Sequence, residues 1–355
     1  MIDVTLRIEA FVKLGTFFKE FCISANKEQE KQTHSSSLYN TLEDKISLAK
    51  HKNGWFNREN ILYSLENWAN TLSEENIKEW VKNYDLKSDI QQKTVALIMA
   101  GNIPLVGFHD FLCVLITGHK ALIKLSSNDN ILLPIVTDIL IEIEPKFKEN
   151  IVFEEGRLAN FDLVIATGSN NTARYFEHYF SKKPHIIRKN RNSVAVITGK
   201  ESKEELTALG KDIFTYYGLG CRSVSKVFVP LNYDFDTLFK ALYEYHPIIE
   251  QIKYSNNYDY NKAVYLMSNF KLLDNGFLIL KEDSSYSSPI ASLFYENYTT
   301  LDEIKAKLNF EEDKIQCIVA KGVVKNEVNF GETQKPSLSN YADNVDTISF
   351  LLKNS

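Results

Sequence analysis

Residues 218–230, GLGCRSVSKVFVP, set a cysteine between two glycines and an Arg-Ser pair, just ahead of an apolar run. A thiol in that setting can be buried filler, a metal ligand, part of a nucleotide-binding glycine loop, or a nucleophile. Unpaired cysteine is among the most buried residue types, which favours filler. Two local features point the other way. Flanking glycines let a backbone approach a ligand closely, and Arg222 and Lys226 bring positive charge that favours a thiolate. The glycine-loop reading fails twice: Ser223 stands where G-x-G-x-x-G needs its last glycine, and the motif should follow a strand and open a helix. Here a helical pattern precedes Cys221 and a strand pattern follows it. The metal reading lacks partners. Cys22, Cys113, Cys221 and Cys317 form no close pair, and the seven histidines show no ligand spacing, so neither a metal nor a disulfide scaffold is expected. Widely spaced cysteines fit a reducing compartment, and a cytoplasmic protein is expected.

A nucleophile must be held by elements around it, and 355 residues is more than one core usually spans. The composition, 44% hydrophobic and 25% charged, is that of an ordinary globular protein. A net charge of −5 offers no footprint for nucleic acid. Asp3, Arg7 and Glu9 interrupt any signal peptide. The longest apolar stretch, 95–117, carries Asn102, Pro104, His109 and Asp110 in its middle, so strand–turn–helix is expected there rather than a membrane span.

Along the chain, residues 1–92 read as a helical segment, with VTLRIEAFVKLGTFFKEF and ENILYSLENWANTL carrying apolar residues at helical spacing. The polar stretch 24–37 between them reads as a surface loop. From about residue 93 the rhythm changes. TVALIMA, ALIKLS, IVFEE, FDLVIAT and SVAVIT are short Val/Ile/Leu-rich runs separated by patterns such as NILLPIVTDILIEI and NNTARYFEHYF. Runs of this kind suit strands buried on both faces of a parallel sheet, and the alternation predicts a doubly wound α/β domain over 93–210. A second α/β block over 211–325 begins with the helix leading to Cys221. It continues through SKVFVP, NGFLILK, PIASLFY and KIQCIVA, with Thr300 and Glu303 in a capping-box pattern. Residues 326–355 read as a closing segment.

The helix followed by YYGLGCRSVSKVFVP resembles the nucleophile segment of the aldehyde dehydrogenase superfamily, Gly-x-x-Cys and then a strand. Three further segments fall in that superfamily's order. AGNIPLVGFHDFLCVLITGHKALIKLSS is similar to its Asn-x-Pro turn, helix, and strand ending in a cofactor lysine. FDLVIATGSNNTARYF is similar to its Thr-Gly-Ser turn opening a helix. PSLSNYADNVDTISFL resembles the closing segment of one branch, the acyl-CoA reductases that supply long-chain aldehyde in bacterial bioluminescence. The resemblance implies an aldehyde-dehydrogenase-like α/β fold, with a doubly wound cofactor domain, a catalytic domain and a helical N-terminal segment. It implies catalytic roles for Cys221, the acyl-accepting nucleophile, and for Asn102, which would donate its side-chain N–H to the oxyanion. Lys124 would reach the adenosine ribose, and Thr167, Gly168 and Ser169 would open a helix N-terminus toward the pyrophosphate. On the residues alone, Asn102 could equally cap its turn, Lys124 end a solvated strand, and Ser169 serve as an N-cap.

Two departures from the superfamily pattern carry information. Aldehyde-oxidising members have a glutamate that activates water, and the matching stretch, IIRKNRNSVAVI, has none. A second family glutamate, which holds a cofactor ribose, is replaced, and Ser285 lies where it would fall. NAD-preferring relatives often carry a glutamate three residues after the strand-end lysine. Here that residue is Ser127, which implies NADPH (NADP) as the cofactor. The implied reaction is reduction of a long-chain fatty acyl-CoA, or acyl carrier, to aldehyde through a cysteine thioester. Three other readings stay open on sequence: a CoA-acylating aldehyde dehydrogenase on shorter aldehydes, a non-redox acyl transferase or thioesterase, and a binding-only subunit. The resemblance allows a homo-oligomer, although only EPKFKEN stands where the superfamily's oligomerisation hairpin would be.

Overall fold

A computed structural model of the chain describes residues 2–26, 37–86 and 90–355. Most of the 24–37 loop expectation lies outside the described residues; within them, residues 24–26 end one helix and Ser37 begins the next. The chain divides into two compact units, 1–189 with 337–355, and 190–336.

The first unit opens with helices α1 (Val4–Asn26), α2 (Ser37–Lys52), α3 (Arg58–Thr71) and α4 (Glu74–Val81). On α1, Phe11, Leu14, Phe18 and Phe21 recur every three or four residues and are fully buried, each burial worth about 1.5–3 kcal/mol. The α/β part follows as β1 (Thr94–Ile98), α5 (Phe108–Ile116), β2 (Lys120–Lys124), α6 (Leu132–Ile143), β3 (Ile151–Phe153), β4 (Leu163–Thr167), α7 (Asn170–Tyr179) and β5 (His185–Arg188). These strands form one parallel sheet in the order β3-β2-β1-β4-β5. Side chains alternate across it. Val95, Leu97, Ile123 and Ile165 join the helical core built on α1–α6, while Ala96, Val164 and Ala166 face Phe161 and Phe180 on the other side. Both faces are covered, which is why the strands read as continuous apolar runs.

The closing segment returns to this unit as α12 (Thr347–Lys353). Its anchor is Arg188, at the end of β5, almost fully buried and bidentate to Asp110 of α5 at 2.6 and 3.1 Å. The same guanidinium donates to Ala342 O (2.6 Å) and Thr347 Oγ1 (2.9 Å). Burial would raise the Asp110 pKa, but the Arg188 charge and hydrogen bonds outweigh it and hold the carboxyl below the ordinary aspartate value. A depressed folded pKa contributes stability that is fully present above about pH 4 and lost as pH falls through the folded value. Asp110→Ala leaves a buried guanidinium unpaired. It should cost about 3–5 kcal/mol in denaturant unfolding at pH 7, with the penalty relative to wild type shrinking as the assay pH drops below about 4. An Asp110→Ala chain as stable as wild type at pH 7 would show that the clip contributes nothing.

The second unit runs β6 (Asn192–Val196), α8 (Lys203–Phe214), β7 (Val224–Pro230), α9 (Phe235–Leu242), α10 (Ile252–Met267), β8 (Leu272–Asp274), β9 (Ile279–Glu282), β10 (Ser292–Tyr298), α11 (Leu301–Phe310) and β11 (Ile315–Val319). Its sheet has the order β11-β6-β7-β10-β9-β8, parallel except for the antiparallel edge strand β8. The sequence expectation of a boundary near 210 is corrected here. SVAVI pairs with β7 and β11, so the division falls between 189 and 190. The expected 326–355 segment is likewise divided, with residues up to 336 in the second unit. Ser202 and Glu205 close a full capping box on α8. At α11, Thr300 accepts from Glu303 N as the pattern predicts, but the Glu303 carboxylate reaches back to Thr299 N instead.

Candidate active site

In the first sheet β1 has β2 on one side and β4 on the other, so the chain reverses its direction of winding between β1 and β4. Carboxyl ends of parallel strands at such a reversal form the crevice where open α/β sheets bind ligands. Six of the residues singled out from sequence lie at this edge. Asn102 is half-buried in the bend after β1, Lys124 ends β2, and Ser127 is exposed in the turn that follows. Thr167 ends β4, Gly168 follows it, and Ser169 is the N-cap of α7.

The backbones here are tightly apposed. A Cβ on Gly101 would lie 2.8 Å from Ser126 Cβ and 2.9 Å from Asp129 N, so the turns carrying Asn102 and Ser127 touch only because residue 101 is glycine. Gly168 is similar, its would-be Cβ 3.0 Å from Thr172 Cβ on α7. Lys124 Nζ donates to the carbonyls of Gly156 (2.6 Å) and Glu155 (3.5 Å), neutral acceptors that leave its charge for an anion. The Ser169 hydroxyl accepts from Thr172 N at 3.3 Å, so its capping use is real, and the first turn of α7 still presents other N–H groups. Ser127 is not the cap of α6. That helix has Ile131 at its N-cap position, and its first turn is served by Asp129, which accepts from Leu132 N (3.3 Å).

Sequence reasoning missed Asp129. Its other oxygen accepts from Leu105 N (3.4 Å), where Leu105 holds a left-handed φ of 56° in the turn after Asn102. One buried carboxylate thus ties the Asn102 turn to the Ser127 turn, and burial pushes its pKa up. A small cavity lined by Met99, Gly107, Leu125 and Asp129 opens at the same edge.

In the second unit Cys221 lies between α8 and β7. Tyr216, Tyr217 and Gly218 all adopt left-handed φ values of 55°, 58° and 75°. Two consecutive non-glycine residues in that region are strained, a feature that concentrates at functional sites. The chain then turns through Gly220–Ser223, closed by Ser223 N–H donating to Gly220 O (3.0 Å), and the Ser193 hydroxyl at the start of β6 donates to Cys221 O (3.0 Å).

All four cysteines lie in described residues, and Cys221 alone is exposed. Burial pushes the Cys22 thiol up to about 12 and raises Cys113 and Cys317 as well, so those three are poor nucleophiles. The filler reading of Cys221 falls with its exposure. One sequence argument also needs correction. Lys226 is fully buried, its ammonium paired with Glu296 at 2.7 Å and donating to Ser284 O, so its charge is compensated within the sheet. Ser285 donates its N–H to Asp283 (2.8 Å), in a segment pinned to β7 by Ser225 Oγ on Tyr286 O (2.7 Å).

The two histidines near Asn102 in sequence make structural bonds. His109 stacks on Trp68 and contacts Leu338 O through Nε2 (2.9 Å), and His119 Nδ1 accepts from Lys93 N (3.2 Å). Among the described residues no group of His, Cys, Asp or Glu is placed to hold a metal, and no helix is long and apolar enough to cross a membrane.

Two α/β units of this topology define the aldehyde dehydrogenase fold. Solved structures that share it include indole-3-acetaldehyde dehydrogenase with NAD+ (TM-score 0.62, 12% identity, 90% of this chain and 72% of that one). Aldehyde dehydrogenase 21 from Physcomitrella patens, solved with succinate, is also similar (TM-score 0.65, 12% identity, 99% and 84%). So is the NAD+ complex of an aldehyde dehydrogenase from Bacillus cereus (TM-score 0.60, 14% identity, 90% and 72%). No curated protein sequence matches the chain. The family model for acyl-CoA reductase (LuxC) matches residues 19–245. The chain belongs to that family, one of oxidoreductases acting between acyl and aldehyde groups, and the matched span contains Asn102, Lys124, Ser127, Thr167, Gly168, Ser169 and Cys221.

Proposed function

We propose that the chain reduces a long-chain fatty acyl-CoA to the aldehyde with NADPH, through a thioester on Cys221. The observation that carries this reading is Cys221 itself: an exposed thiol on a strained, glycine-flanked turn, in a chain whose other three cysteines are buried. The crevice at the β1/β4 edge supports a nicotinamide dinucleotide. Its residues fit that group: a ten-residue helix α7 presents its N-terminus past Gly168, and Lys124 offers an ammonium that, among the described residues, donates to backbone carbonyls. NAD+ bound to structures of the same fold is consistent with that choice.

The Cys221 thiolate attacks the thioester carbonyl, a C–S bond forms, and the tetrahedral oxyanion takes hydrogen bonds from the Asn102 side chain and the Cys221 N–H. The oxyanion collapses, the C–S bond to CoA breaks and CoA leaves as its thiolate, giving the acyl-enzyme. When bound, NADPH supplies the hydride that takes this acyl group to the aldehyde level. Cys221 is released as the thiohemiacetal collapses. Hydrolysis would divert the acyl-enzyme to fatty acid, and the stretch 186–197 contains no glutamate to activate water. The long-chain preference rests on the family resemblance, and a cytoplasmic setting would keep the thiol reduced.

Cofactor choice gives a direct test. A phosphate near a lysine gains, and near a carboxylate loses, about 1–3 kcal/mol, a roughly ten- to hundredfold change in affinity. Ser127 is exposed beside the strand that ends in Lys124. A matrix of acyl-CoA chain lengths against NADPH and NADH should show faster NADPH oxidation with long chains, and Ser127→Glu should raise the KM for NADPH more than that for NADH. A wild type that favours NADH, or equal losses for both cofactors in Ser127→Glu, would refute the NADPH assignment.

A further inference from the structure

Beneath the Cys221 turn lies a strap, residues 331–334, that the reaction as proposed does not use. Asp212, fully buried on α8, accepts three hydrogen bonds from it: Gly331 N (2.6 Å), Thr333 N (3.0 Å) and Thr333 Oγ1 (2.8 Å). The strap in turn holds the two residues that follow the cysteine. Thr333 O accepts from Arg222 Nε, and Gln334 Nε2 donates to Ser223 Oγ (3.3 Å). Thr333 is fully buried, and Ser223 and Gln334 are nearly so.

Gly331 lets the strap lie flush on the helix. Its φ is 83°, and a Cβ there would stand 3.1 Å from Ala208 Cβ, four residues before Asp212 on the same face of α8. Thr333 therefore links a buried carboxylate on its N–H side to a guanidinium on its C=O side. Asp212 accepts from its N–H and Arg222 donates to its C=O, so one residue, through two successive peptide groups, stands between the two opposite charges. A buried carboxylate without three such donors would be costly. The arrangement is held together by its own satisfaction.

We infer that Asp212 and Thr333 are positioning residues for Cys221: through Arg222 and Ser223 they fix the turn that presents the thiol to the acyl carbonyl. The inference rests on the proposal that Cys221 accepts the acyl group. Rigid placement matters because a misplacement of about 1 Å at a reacting atom can cost about a hundredfold in rate. Thr333→Val keeps the volume and removes the hydroxyl donor, leaving the buried Asp212 carboxylate one bond short, so the strap loosens. Thr333→Ser keeps the donor.

The experiment is single-turnover acylation of the full chain with a long-chain acyl-CoA, without cofactor, followed by intact mass. Thr333→Val should slow the first-order acylation step at saturating acyl-CoA by about ten- to a hundredfold. The half-saturating concentration should stay unchanged, and Thr333→Ser should restore the rate. A purely structural role would lower the melting temperature without this split or this rescue. Should Thr333→Val be unfolded at the assay temperature, Gln334→Met, which removes the Ser223 anchor and leaves the Asp212 bonds in place, must show the same slowing. A folded Thr333→Val or Gln334→Met chain that acylates like wild type overturns the inference alone. A wild type that is never acylated at Cys221 overturns the proposed function and the inference with it.

Discussion

Cys221→Ala should abolish formation of an acyl adduct and lower turnover by about 10⁴- to 10⁶-fold, the range seen when a covalent nucleophile is removed. Wild type mixed with a long-chain acyl-CoA in the absence of NADPH should gain the mass of one acyl group, on the peptide carrying Cys221. Single replacements of Cys22, Cys113 and Cys317 by serine or alanine should leave that adduct in place. The selectivity follows from burial. The three other thiols are buried and held in their neutral form by desolvation, with Cys22 at about 12, whereas Cys221 is exposed. An adduct on any of those three with Cys221 unmodified would overturn the mechanism. Persistent turnover in Cys221→Ala would do the same.

Asn102→Ala should lower turnover by about 10²- to 10³-fold, the usual loss for one oxyanion donor, with little change in the KM for NADPH. The side chain it removes sits half-buried after β1, in a turn that Gly101 presses against Ser126 and Asp129 holds through Leu105. Asp129 secures this turn independently, through the Leu105 N–H. A variant with near-normal turnover would return Asn102 to the role of a turn residue. A variant with normal chemistry and a lowered melting temperature would do so more firmly.

Several features of this molecule are local and so could be read from the chain alone. Short Val/Ile/Leu-rich runs, separated by amphipathic stretches, announce strands covered on both faces, and β1, β2, β4, β6 and β7 all overlap runs read this way. The helices over α1 and α3 follow from their apolar spacing. The residues at the strand ends were picked out by resemblance to the aldehyde dehydrogenase superfamily, since their local signals alone read equally as turn caps, a strand end and a helix N-cap. Other elements escaped for equally local reasons. β5 and β8 are four and three residues long, too short for a period to register. α10 hides its nature because its buried face is Tyr254, Tyr258, Asn261 and Tyr265, while Ile252 and Met267 point outward at 75% and 85% exposure.

What the sequence by itself determined is which short segments are apolar enough to be buried, where turns interrupt them, and which residue types stand at those turns. Periodicity reports that a strand is buried; it carries no information about its neighbours. Only the tertiary structure decided that β6 joins the second sheet rather than the first, because backbone N–H and C=O groups of a buried strand must find partners and β7 and β11 supply them. The same holds for charge. Arg188 reaches Asp110 across 78 residues, Lys226 reaches Glu296 across 70, and Asp212 reaches Thr333 across 121. A charged group withdrawn from water must be paired, but its partner is whichever group packing brings within about 3 Å, and sequence distance places no limit on that choice.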